Sequence, residues 1–183
     1  MRKSFWVVCL GILFGAGTAG AEDSWTDKIK LDGDLRYRNE TIKVGDNDTQ
    51  NKHRIRVRIG IEAKVNEMLD LGFQLATGSD NPVSTNQTLG DGFSTKDIRL
   101  DLAYFDFHTN KAPGLHFIAG KMKNPYFLPW KSELVWDTDL RPEGGLVKYS
   151  RANKSVEFFT NIGGFYVEER SSDVDTYLFG AQA

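Results

Sequence analysis

Three arginines alternate with apolar residues in Arg54-Ile55-Arg56-Val57-Arg58, and Arg36 and Arg38 alternate in the same way on the preceding segment. In an extended chain, residues two apart share a face, so this spacing collects five guanidinium groups on one surface. Asp32, Asp34, Glu62 and Asp101, joined by Glu40 and Asp70, occupy the matching faces of their own segments. Charges of both signs arranged along a wall set up a field and bias which ions pass, as rings of charge do in pores.

Other candidate chemistry is sparse. Ser84, Ser94 and Ser132 have no G-x-S-x-G setting, and no Ser-His-Asp grouping can be assigned. His53, His108 and His116 lack the helical spacing and the cysteine company of a zinc site. Asp46-Asn47-Asp48 resembles the start of a calcium loop but lacks the glycine and glutamate spacing of an EF-hand, so it reads as a solvated turn. The expectation is therefore no enzyme, no metal and no cofactor.

The charged positions need extended elements to align them, and the sequence supplies these. Ile29 to Ile42 sets Leu31, Gly33, Leu35 and Tyr37 against Asp32, Asp34, Arg36 and Arg38. His53 to Val65 sets Ile55, Val57, Ile59, Ile61, Ala63 and Val65 against Arg54, Arg56, Arg58, Glu62 and Lys64. Leu69, Leu71, Phe73 and Leu75 oppose Asp70, Gly72, Gln74 and Ala76; further on, Ile98, Leu100, Leu102 and Tyr104 oppose Arg99, Asp101, Ala103 and Phe105. Weaker alternation marks strands at 114–122, 145–150, 155–166 and 176–182, with Phe117, Tyr149, Phe158 and Phe179 facing outward. Eight strands follow, several of them near the 9–11 residues that a tilted strand needs to cross a bilayer.

The connections alternate in length. Residues 66–68, 109–113 and 151–154 are short, whereas 43–52, 79–96, 123–144 and 167–175 are long. Short periplasmic turns and long external loops are the habit of outer-membrane barrels, and with a periplasmic N-terminus every short connection falls on the periplasmic side. The fold class expected is an all-β antiparallel transmembrane β-barrel, with about eight strands present as part of a larger even-stranded one.

Placing an Arg or Lys on the lipid face near the midplane costs about 2–4 kcal/mol, so the arginine row must point into an aqueous interior. A pore lined by Arg36, Arg38, Arg54, Arg56 and Arg58, with Asp32, Asp34, Glu62 and Asp101 as the lining acids, is one reading. A salt-bridge lattice that plugs a small barrel is the other. The third long connection carries Glu133, Trp136, Asp137, Asp139, Arg141 and Glu143, which makes it the candidate constriction loop; an ordinary surface loop held by its aromatics is the alternative.

Arg2 and Lys3 precede an apolar run from Phe5 to Ala16, and Thr18-Ala19-Gly20-Ala21 supplies a small-residue cleavage site. Residues 1–21 therefore read as a secretory signal peptide cut before Glu22, and 22–183 as one barrel segment. The single cysteine, Cys9, lies in the leader, so no disulfide is available to the exported part. Without Arg2 and Lys3, 21 basic residues face 25 acidic ones, a net charge of −4. That balance gives no sign of a nucleic-acid partner. Mean hydropathy of −0.41 combined with 12% aromatic residues is awkward for a helical membrane protein but natural for strands with one wet and one apolar face.

Several ordered segments carry a resemblance: Ala76 to Thr88, Leu100-Asp101-Leu102-Ala103-Tyr104-Phe105, Ala119-Gly120-Lys121-Met122-Lys123-Asn124-Pro125, and Trp136 to Gly144. Over about residues 30–182 the chain resembles the putative porin family of Gram-negative outer membranes. The resemblance implies a barrel channel for passive diffusion of ions and small hydrophilic solutes, set in outer-membrane lipid, homo-oligomeric and trimeric by analogy, with no catalytic residues. Family members are longer, and such barrels usually end in Phe or Trp where this chain ends Gly180-Ala181-Gln182-Ala183; the expectation is an N-terminal fragment. The alternative function is a small closed barrel with a structural or adhesive role and no transport.

Overall fold

The computed structural model of the chain describes residues 25–183. The signal peptide expected over 1–21, its cleavage site and Cys9 lie outside the described residues. A short 3-10 turn, Trp25–Lys28, leads into the strands β1 (Ile29–Ile42), β2 (Gln50–Asn66), β3 (Leu69–Thr77), β4 (Gln87–Thr88), β5 (Ile98–His108), β6 (Leu115–Lys121), β7 (Glu143–Ala152), β8 (Glu157–Glu168) and β9 (Thr176–Gln182). Eight of these are the long strands that alternation predicts; β4 is a two-residue addition inside the second long connection.

Every pairing is antiparallel; the eight long strands pair in chain order, β1-β2-β3-β5-β6-β7-β8-β9, and β4 pairs with β2 beyond the point where β3 stops. The sheet is open: β1 and β9 each have one partner strand. Local chemistry closes the short turns. The Asn66 carboxamide oxygen accepts from the Met68 amide at 2.8 Å, and Asn153 accepts from the amides of Ser155 and Val156 at 3.0 and 2.9 Å. Side chains of this kind cap tight reversals by replacing the missing ladder bonds.

Register turns the alternation of each strand into two continuous faces. Leu31 is opposite Ile61 and Ile61 opposite Phe73, while Asp34 is opposite Arg58 and Arg58 opposite Ala76. The apolar face carries Leu35, Ile59, Phe73, Phe117, Ile162 and Phe179, all exposed in the isolated chain. A water-soluble sheet protein would cover such a surface. The polar face is covered in part by the long connections, and the few buried residues, among them Gln74, Asp101, Leu102, Leu146, Asn161 and Phe165, lie on it.

One phase differs from expectation. In β5, Gln74 pairs with Leu102 and Leu75 with Leu100, so Asp101 is an extra residue in a β-bulge. A bulge puts two consecutive residues on one side and inverts the alternation beyond it. Asp101 and Leu102 therefore share the polar face, and Tyr104, Asp106 and His108 follow on that face, whereas Ala103, Phe105 and Phe107 turn outward. The grouping of Leu102 and Tyr104 with Ile98 and Leu100 is thus corrected.

Candidate functional site

The polar face divides into tiers. Toward the long-loop end, Arg38 is directly opposite Arg54 and Arg36 directly opposite Arg56; one tier further in, Asp34 faces Arg58. Asp34 bridges two arginines, accepting from Arg56 Nε at 2.9 Å and Arg58 Nε at 2.6 Å. Glu40 pairs with Arg38 and lies 3.3 Å from Arg54. Arg36 has no carboxylate partner among the described residues; it donates to the Asn86 carboxamide oxygen at 2.6 Å. The Nε groups of Arg36 and Arg38 are buried with no hydrogen-bond partner.

Toward the short-turn end the acids gather. Asp32, Glu62, Asp70 and Asp106 surround Tyr104, whose ring lies over Gly72; a Cβ on Gly72 would collide with that ring. Lys30 donates to Glu62 at 3.0 Å. His108 Nε2 is 3.2 Å from Asp70, His116 Nδ1 is 2.9 Å from Asp106, and the two imidazoles lie 5.2 Å apart. Along β1 and β2 the arginines therefore gather toward the long-loop end, with Asp34 and Glu40 among them, and the acids toward the short-turn end, with Lys30 and Lys64 among them.

The connection between β6 and β7 folds over this face and is fastened at both ends. Near its start, the Phe127 amide donates to Gln182 Oε1 at 2.6 Å and the Gln182 amide returns a bond to the Phe127 carbonyl at 2.9 Å. Asn161 Nδ2 donates to the Pro125 carbonyl at 2.8 Å. Tyr126 packs on Met122, Leu146 and Phe165, with its hydroxyl over Gly180, where a Cβ would meet it. Burial raises the Tyr126 phenol pKa above its ordinary value.

Near its end the same connection reaches the opposite part of the sheet. Asp139 accepts from the Thr85 amide at 3.4 Å and lies 3.8 Å from Arg58. Arg141 Nε lies 3.3 Å from both oxygens of Asp101, whose Oδ2 also accepts from Gln74 Nε2 at 2.7 Å; Arg141 and Asp101 are each only 8% exposed. The segment thus runs across the polar face from β9 to β5 and β2.

The residues expected in this connection have different surroundings. Asp139 and Arg141 touch the sheet. Trp136 packs edge-on against Tyr126 at 6.0 Å, and Asp137 accepts from the Asp139 amide at 2.7 Å. Glu133 accepts from the Thr138 hydroxyl and amide within the loop, and these donors hold its carboxyl below the usual value. Glu143 is not in the loop: it is the first residue of β7 and pairs with Lys121 at 2.6 Å. Sequence reasoning missed Asn86, Tyr126, Asn161 and Gln182, because a single amide or phenol in a loop or on a weak strand carries no periodic signal. It also missed Tyr104, Asp106 and His108, which period-2 spacing would have found had the phase been read from the short-turn end of β5.

Among the described residues no group of three or more His, Cys, Asp or Glu is arranged to hold a metal ion, and no helix is long and apolar enough to cross a membrane. The second finding says nothing about crossing by strands.

An antiparallel sheet with one charged face, one apolar face and alternating short and long connections has the construction of an outer-membrane strand protein. Residues 41–183 match the family described as Putative porin, and the chain belongs to it. No curated protein matches the chain. Family membership makes this a porin-like protein of the outer membrane.

Proposed function

We propose that the chain forms the wall of an outer-membrane β-barrel whose water-filled channel passes ions and small hydrophilic solutes by passive diffusion, and that the 122–142 segment narrows it. The observation that carries this reading is the segment's path. Its first part is held at Gln182 and its last part at Asp101 and Arg58, so both of its ends lie on the charged face. In a sealed salt-bridge lattice the charges would neutralise one another in place, whereas here Arg36 faces Arg56 across β1 and β2 and has no carboxylate partner among the described residues. The open sheet, in which β1 and β9 do not meet, also weighs against a small closed barrel of these eight strands.

In this reading Arg36, Arg38, Arg54, Arg56 and Arg58 line the pore with Asp32, Asp34, Glu62 and Asp101, and Asp139 and Arg141 set the constriction. Residues 1–21 direct export and are removed. The assembly is a homo-oligomer, trimeric by analogy with other porins. Reconstitution of the full-length protein in planar bilayers tests the channel: stepwise conductance increments are expected, and their absence under conditions of verified insertion would reject it. Chemical cross-linking of the purified protein tests the oligomer.

A further inference from the structure

We infer that the long-loop end of β1 and β2 is a specific binding site for small oxyanions, carboxylate or phosphate, and not merely a basic stretch of wall. The inference deepens the channel reading and rests on it for access to the site.

Charge accounting points there first. Within 4 Å of the five arginines stand three carboxylates, Asp34, Glu40 and Asp139, which leaves two positive charges unbalanced among the described residues. The excess is not spread evenly. Arg58 has both Asp34 and Asp139, while Arg36 has only the Asn86 amide.

Register adds the second argument. Like charges directly opposite on neighbouring strands are destabilising; Glu40 spans the Arg38–Arg54 tier, but Arg36 faces Arg56 with no carboxylate shared between them among the described residues. Such an arrangement costs stability unless something bridges it. Buried Nε donors without partners on Arg36 and Arg38 mark where the bridge would sit. Guanidinium forks match carboxylate and phosphate geometry with paired bonds, so an oxyanion between the tiers would satisfy the donors and cancel the repulsion together. Asn86 fixes Arg36 from the loop side, so the site is framed before any ligand arrives.

The test uses the full-length protein, purified in detergent and also reconstituted in planar bilayers, with inorganic phosphate and succinate as separate probes. Equilibrium dialysis should show saturable binding of at least one probe, and the probe that saturates distinguishes phosphate from carboxylate. Succinate or phosphate should also block chloride current saturably. The R36Q/R38Q double variant should weaken half-saturation tenfold or more while melting at a higher temperature than the parent, because it relieves the repulsion. Lys64→Gln removes one charge from the same face of β2 and should leave half-saturation within about twofold. Should R36Q/R38Q not accumulate, Asn86→Ala provides the second reading, a weakening of about threefold or more. No saturable binding in the parent, or equal loss in Lys64→Gln, overturns the site even if the channel conducts. Binding without any conductance supports the site and rejects the channel.

Discussion

The Arg141–Asp101 contact offers the sharpest prediction about the loop. Replacing Arg141 with Gln removes the cation that lies 3.3 Å from both Asp101 oxygens and also the bond from Arg141 Nη1 to the Thr138 carbonyl at 2.7 Å. A hydrogen bond to a charged group contributes about 1.5–3 kcal/mol. The long 3.3 Å separations put this pair at the lower end, and water can solvate both groups once the loop lifts, so about 1–2 kcal/mol is the reasonable figure. One or two kcal/mol corresponds to a factor of roughly 5–30 in an equilibrium, so the detached state of the loop should become that much more populated. Single-channel recordings should then show more frequent excursions to a larger conductance. Asp101→Asn should produce the same excursions, and the double variant should be no worse than either single one, since each already removes the shared contact. A current histogram for Arg141→Gln that superimposes on the parent's would refute the claim that this contact holds the loop over the polar face.

Other outcomes follow from the same geometry. Gly180→Ala should push Tyr126 off β9 and raise the mean conductance, because its Cβ would occupy the place of the Tyr126 hydroxyl; unchanged conductance would argue that the ring moves freely. Ile59→Arg should lower the stability of the protein refolded into liposomes by about 2–4 kcal/mol, read from urea titration, since it puts a charge on the apolar face. The Glu133 carboxyl is held below its ordinary value near 4.5 by donors from Thr138. A depressed folded value means that its contribution to loop order is present above that ordinary value and is lost as pH falls through the folded one. Amide exchange around residues 133–138 should therefore be slower in the parent than in Thr138→Val at neutral pH only, and the two proteins should converge in strong acid.

Much of the wall was legible because period-2 alternation is strong wherever two solvents meet one strand. The arginine, isoleucine and valine sequence of β2 fixes its phase without help, and β1 follows it residue for residue. The signal fails where the backbone breaks period. The bulge at Asp101 shifts β5 by one, and nothing in Leu100-Asp101-Leu102-Ala103 announces it; only pairing with Gln74 and Leu75 does. β4 was likewise invisible, since Gln87–Thr88 acquires strand geometry from the overhanging end of β2 and has no pattern of its own.

The loop across the polar face was legible as composition and not as path. Acids, an arginine and two tryptophans mark the segment as unusual, but its course depends on Asn161 and Gln182, 36 and 55 residues beyond the loop residues they hold, and on Tyr126 finding room over Gly180. Glu143 reads as part of it in the sequence because strand boundaries are poorly marked where Gly144-Gly145 weakens the propensity signal.

A channel wall requires that the two faces of the sheet meet different solvents, water on one side and lipid on the other. Since the only cysteine, Cys9, lies in the expected leader, single cysteines can be introduced one at a time along β2 from Ile55→Cys to Ile61→Cys in membrane-inserted protein. A water-soluble thiol reagent should label the even positions, and a lipid-phase quencher should reach probes only at the odd ones. Equal labelling at odd and even positions, or reversal of the pattern, would contradict the central claim.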